Sequence, residues 1–138
     1  MPTFTLKLID AINGKQVFYQ LVIDGVPQLD DFEKNLEKKY ENDFKRLLFI
    51  MDRVSNNEHV PGTQYHLLDN KKNDPYPGCE FKSGDLRAYA FKSKAGKLVA
   101  LVGYKNQQQQ DIRKFNSLKK QFISQNKIPN HDQKRITK

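Results

Sequence analysis

Between Cys79 and Asn106 the chain reads CEFKSGDLRAYAFKSKAGKLVALVGYKN, with Lys82, Arg87 and Lys105 set into a largely apolar stretch. A cation planted beside aromatic side chains can hold a phosphate while a ring stacks a base, which is the chemistry of nucleic-acid contact. Strand geometry over Leu86 to Lys92 puts Arg87, Tyr89 and Phe91 on one face and Leu86, Ala88 and Ala90 on the other. A two- or four-residue turn after that strand brings Tyr104, Val102 and Ala100 to the face of Arg87, and a three-residue turn reverses them. On the first alternative Arg87, Tyr89 and Tyr104 make an exposed cation-and-aromatic platform. The structural alternative has Arg87 lying over an apolar sheet and paired with Asp85. Lys105 stands where a strand end leads into a helix start, whose free N–H groups favour phosphate, or it is an edge gatekeeper. Lys82 is open to the same two readings.

Charge sharpens the first reading. The net charge is +8, yet residues 1–81 carry 10 Lys/Arg against 13 Asp/Glu, and residues 82–138 carry 14 against 3. A basic half of this kind points to a polyanionic partner, and the plain alternative is a solvated cationic face. The single Cys79 leaves no internal disulfide and no cysteine cluster for zinc, and His59, His66 and His131 lack metal-ligand spacing. No metal or cofactor is expected. No apolar run approaches the length of a membrane span, and no charged-then-apolar leader opens the chain, so a cytosolic location is expected.

The elements that must position these residues follow from periodicity. Phe4, Leu6 and Leu8 alternate with polar residues as a strand, Asn13-Gly14 signals a hairpin turn, and Val17, Tyr19, Leu21 and Ile23 continue a second strand. Asp30 with Glu33 resembles a capping box. Phe32, Leu36, Tyr40, Phe44, Leu47, Leu48, Met51 and Val54 then recur at helical intervals. One long helix fits this pattern, and so does a helical pair broken near Glu41-Asn42-Asp43, three poor interior residues, which is the favoured expectation. Ser55 to Gly78 is a long polar connection, part of it held down by Tyr65, Leu67 and Leu68. Turns at Ser83-Gly84-Asp85 and Lys94-Ala95-Gly96 divide the strands that follow. Asp111, Ile112, Phe115, Leu118, Phe122 and Ile123 mark a last amphipathic helix. The expected fold is α+β: a small antiparallel or mixed sheet with an N-terminal β-hairpin, a helical pair on one face and a C-terminal helix. One domain is expected over residues 1–126, with 127–138 a basic tail.

A helical pair, a Pro-Gly-containing loop, three consecutive antiparallel strands and a final helix resemble the RelE/ParE toxin superfamily, and within it the HigB-like, phage-associated branch. The likeness rests on DDFEKNLEKKY, FKRLLFIMDRV, the stretch from Cys79 to Asn106 and DIRKFNSLKKQFI, and covers roughly residues 30–123. It implies the toxin of a type II toxin–antitoxin system, an endoribonuclease that cleaves mRNA on the ribosome without metal, using the RNA's own 2′-hydroxyl as nucleophile. It implies that Arg87 contacts the scissile phosphate, that Lys82 and Lys105 complete the catalytic cations, and that Tyr89, Tyr104, Gln108, Arg113 and Lys114 contact RNA. Relatives often complete the site with an aromatic or acidic residue near the C-terminus, for which Gln108, Asp111 and Phe115 are the nearest candidates. An acidic segment of a cognate antitoxin is expected over Lys82, Arg87 and Lys105, on a monomer or weak homodimer. Two other functions fit the same residues: a ParE-like gyrase poison and a non-catalytic nucleic-acid-binding module.

Overall fold

The computed structural model of the chain describes residues 2–68, 74–93 and 96–125. Seven strands form one mixed sheet, in the order β1 (Phe4–Leu8), β2 (Val17–Ile23), β7 (Gly96–Tyr104), β6 (Leu86–Lys92), β5 (Gly78–Ser83) and β4 (Tyr65–Leu67), with the short β3 (Val26–Pro27) paired to β2. Every pairing is antiparallel except that of β2 with β7. Helices α1 (Gln28–Lys34) and α2 (Glu41–Ser55) cover one face, and α3 (Gln108–Ser124) covers the other. The fold is α+β with an N-terminal hairpin, a helical pair and a C-terminal helix, as the sequence predicts.

The two faces hold separate cores. Phe44, Leu47, Ile50, Met51 and Val54 of α2 pack on Phe18, Phe81, Leu86, Ala88 and Val99. Phe115, Leu118 and Phe122 of α3 pack on Phe4, Leu21, Tyr89, Phe91 and Leu98. A strand covered on both faces cannot alternate apolar and polar residues, which is why β7 reads GKLVALVGY and is buried along all but its last residue. Its parallel pairing with β2 needs a close approach at Gly96. A Cβ there would lie 1.8 Å from the carbonyl oxygen of Val17, and the backbone φ of +152° is one that side chains disfavour.

Several local expectations change. Asn13-Gly14 does not close a two-residue hairpin. Instead Ile9–Gln16 form a longer connection that turns Ile9 and Ile12 into the core and sets Gly14 against Ser55. The helical pair divides earlier than predicted, because α1 ends at Lys34 and a 3-10 turn (Lys38–Tyr40) precedes α2. Glu41, Asn42 and Asp43 open α2 rather than interrupting a helix: acidic side chains poorly suited to a helix interior are favourable against the positive end of its dipole. Asp30 makes no capping box. Its carboxylate takes hydrogen bonds from Gln20 Nε2 (3.0 Å) and Lys7 Nζ (2.6 Å), while its N–H donates to Gln20 Oε1, tying α1 to β2. Within the long polar connection, Tyr65–Leu67 form edge strand β4, and the Tyr65 ring sits 4.8 Å from that of Phe81. Lys94, Ala95 and the tail lie outside the described residues.

Lys97 of β7 is buried on the α2 face at 4 % exposure, its Nζ donating to Gln16 Oε1 at 2.8 Å between the rings of Phe18 and Tyr65. Burial pulls its ammonium below the usual lysine range, while the neighbouring Cys79 thiol is pushed by burial to about 11.

Two outcomes follow for stability. Gly96→Ala is expected to lose more than about 2 kcal/mol in denaturant unfolding; a loss under about 0.5 kcal/mol would show that β2 and β7 do not approach so closely. Because the unfolded chain holds the Lys97 proton more tightly than the folded one, wild-type stability gains as pH rises from the lowered folded pKa towards 10.5. Unfolding of wild type and Lys97→Met across pH 7 to about 10.5 should show the difference moving in favour of wild type, and a pH-independent difference would mean that Lys97 is not desolvated.

Candidate functional site

On the α3 face, the strand register lines polar side chains into two adjacent rows. His66 of β4 is paired with Glu80 of β5, and Glu80 with Tyr89 of β6. One step along, Lys82 is paired with Arg87, and Arg87 with Gly103 of β7. Period-2 alternation places both rows on one side of the sheet. Glu80 is 1 % exposed, yet both its oxygens are occupied: Oε1 lies 2.7 Å from His66 Nε2, and Oε2 accepts from Gln108 Nε2 of α3 at 2.5 Å. A carboxylate only accepts, so Nε2 is the donor of this pair, and Nδ1 is the ring's other nitrogen on a half-exposed side chain.

Arg87 and Tyr89 are not an exposed platform. Arg87 is 8 % exposed and Tyr89 fully buried, because the first turns of α3 lie over them. Nor does Arg87 pair with Asp85. Its Nη1 donates to the carbonyl oxygens of Gly84 and Leu86 (both 2.8 Å), it forms no ion pair among the described residues, and its Nε is without a partner there. The Tyr89 hydroxyl is likewise buried, with no partner at full hydrogen-bond geometry among the described residues, the Glu80 carboxylate being the acceptor nearest to it in effect. Burial, then the charges of Glu80 and Asp111, hold that phenol well above its ordinary pKa. Asp111, in the first turn of α3, lies against Gly103, where a Cβ would stand 2.1 Å from its Oδ2; partial burial raises its carboxyl, opposed by Lys114. Gly103 is thus what lets α3 descend onto the Arg87 row. Lys82 is the partly exposed cation of this group.

Tyr104 is absent from this face, and the reason is a single residue. Lys92 pairs with Lys97, so the connection between β6 and β7 has the four-residue length that should bring Tyr104 beside Arg87. However, Tyr89 pairs with Leu101 while Ala90 pairs with Val99, which makes Ala100 an extra residue in β7. A one-residue bulge exchanges the faces of everything beyond it. Ala100 and Leu101 both join the α3 side, and Tyr104 falls opposite Leu86 on the α1–α2 side. There its ring meets Phe32 at 5.3 Å and Tyr40 at 5.2 Å. Lys105 is exposed and lines the same end of the sheet as Tyr104, its N–H bonded to the carbonyl oxygen of Asp85 at 2.7 Å. Gln108 is part of the site, though as a partner of Glu80 rather than a free RNA contact. Arg113 and Lys114 are exposed on α3, outside its buried stripe.

Sequence reading missed His66 and Glu80. His66 sits in what reads as a loop, and Glu80 reads as one charge beside an apolar run. The available signal was Glu80 itself, an acid two residues before Lys82 within a strand whose other residues are mostly apolar. Among the described residues, no group of three or more His, Cys, Asp or Glu side chains is placed to hold a metal ion, and no helix is long and apolar enough to cross a membrane. No family model, no curated protein and no solved structure matches the chain.

Removing an unpartnered buried hydroxyl relieves a desolvation cost. Tyr89→Phe should therefore leave unfolding free energy unchanged or raise it by up to about 2 kcal/mol. A loss above about 1 kcal/mol in denaturant unfolding would show that the hydroxyl is bonded after all.

Proposed function

We propose that the chain is a metal-free endoribonuclease that cleaves mRNA on the ribosome, the toxin of a toxin–antitoxin pair. One arrangement carries this reading: the His66–Glu80 acid–base pair lies one strand step from the cations Lys82 and Arg87. The resemblance to RelE/ParE toxins and the order of helical pair, three antiparallel strands and final helix support it. His66 Nδ1 takes the proton of the RNA 2′-hydroxyl, and the buried Glu80 carboxylate stabilises the imidazolium that forms. The 2′-oxygen then attacks the adjacent phosphorus, and the bond from phosphorus to the 5′-oxygen breaks. Lys82 neutralises charge on the phosphoryl oxygens and supplies the proton of the leaving group, while Arg87 contributes a fixed positive field from beneath. An acidic antitoxin segment covers the Lys82 surface in the resting pair.

A second reading draws on Arg87 alone. With Nη1 committed to two carbonyls, it acts as a staple of the Ser83–Leu86 turn, and the basic half then serves a binding module without catalysis.

Inducing wild type, Lys82→Ala and His66→Ala in a bacterial host separates the two. Growth arrest with cut messages is expected for wild type, and cleavage by both purified variants should fall roughly 100-fold or more, at unchanged thermal midpoint for Lys82→Ala and at a lowered one for His66→Ala, which leaves Glu80 Oε1 buried without its partner. Salt-sensitive RNA binding with intact messages from all three would establish the binding module instead.

A further inference from the structure

A recess opens where the turn at Asp85 leads into β6 and where β7 ends, on the Tyr104 side of the sheet. It is a cleft of about 540 Å³ whose lining includes Glu37, Tyr40, Asp85, Tyr104, Lys105 and Asn106. Its walls are fixed. The Lys105 N–H bonds the Asp85 carbonyl, joining the β6 turn to the start of the last helix, and the tilted rings of Phe32 and Tyr40 contact the Tyr104 ring, which still lines the cleft. Glu37 and Asp85 are exposed, and neither carboxylate has a hydrogen-bond or ion-pair partner among the described residues. The Glu37 charge reaches the Tyr104 hydroxyl: after burial, it is the next cause of that phenol's raised pKa.

We propose that this cleft takes a guanine base of single-stranded RNA, stacked on Tyr104 and read along its Watson–Crick edge by the Glu37 carboxylate. The proposal rests on the nucleic-acid reading of the chain above and names the base that it selects. Unstacked bases in single strands are held on aromatic rings and read at their edges. Guanine presents two adjacent donors, N1–H and the N2 amino group, which match the two oxygens of one carboxylate, an acceptor-only group. Its O6 acceptor suits the donors Lys105 and Asn106. Adenine offers an acceptor at N1, which would face a carboxylate oxygen unpaired, and such a mismatch is heavily penalised in a built site. A cationic ligand fits less well, because Lys105 lines the cleft and the Lys39 ammonium stands 5.2 Å over the Tyr40 ring.

The test is binding, which needs no strand cleavage. GMP and AMP are titrated into the full chain and followed by NMR shift changes, for wild type, Glu37→Gln and Tyr104→Leu. Wild type should bind GMP at least about tenfold more tightly than AMP. Glu37→Gln, on an exposed residue and so expected to fold, should abolish that preference, since its amide donates where guanine also donates. Tyr104→Leu should weaken both nucleotides. Equal binding of GMP and AMP, no binding of either, or a preference that survives Glu37→Gln would overturn the proposal. A chain that discriminates the nucleotides yet never cuts RNA keeps the guanine cleft and refutes the nuclease reading. A chain that cuts RNA without discriminating does the reverse.

Discussion

The structure depends on β7 being enclosed on four sides. Its backbone is hydrogen-bonded to β2 in parallel and to β6 antiparallel, and its side chains are covered by α1 on one face and α3 on the other. A strand so placed has no solvent-facing row in which to carry polar groups. The exceptions it does carry are informative: Gly96 admits the β2 backbone, Lys97 reaches sideways to Gln16, and Gly103 admits the Asp111 carboxylate. Remove any of these accommodations and a neighbouring element must move. Burying apolar surface of this kind stabilises by about 25 cal/mol per Å², and the one charged side chain inside β7, Lys97, is individually satisfied by Gln16.

That constraint explains what could be read from the sequence and what could not. The apolar run of β7, the alternation of β1 and the stripe of α2 are one-dimensional patterns, and they give the fold class directly. Arg87 on one face of β6 with Tyr89 and Phe91 is equally local. The partner face of β7 is not local, because it depends on whether the register slips by one residue, and nothing in VALVGY marks Ala100 as the residue that slips. Bulges are set by packing on both faces at once, here by Leu98, Ala100 and Leu101 fitting beneath α3 together. The same limit hid the His66–Glu80 pair: His66 acquires a strand only because Tyr65 and the β5 edge provide one.

Charge asymmetry along the chain is a weaker guide than it appears in one dimension. The basic C-terminal half folds so that one of its cations, Lys97, is buried in the α2-side core, and another, Arg87, is bound to carbonyls under α3. Among the described residues of that half, the cations left to meet a polyanion are Lys82, Lys92, Lys105 and those on the outer face of α3. Acidic groups of the N-terminal half, Glu37 above all, meet this surface at the sheet end. The result there is a mixed edge of donors and acceptors. Such an edge discriminates between partners better than a uniformly positive one, at some loss of general affinity.

Energetics argue that the α3-side polar rows are not present for stability. A buried, unpaired polar group costs about 1–3 kcal/mol, and among the described residues this face holds two without a partner at full hydrogen-bond geometry, Arg87 Nε and the Tyr89 hydroxyl. Those are appreciable costs against the roughly 5–15 kcal/mol by which a domain is stable at all. Leucine or phenylalanine at these positions would extend the apolar core of Phe91 and Phe115 without the desolvation of a guanidinium and a phenol hydroxyl. Departures from local consistency concentrate where a protein acts rather than where it merely folds. The departures here lie side by side, beneath the first turns of one helix and next to the half-exposed His66.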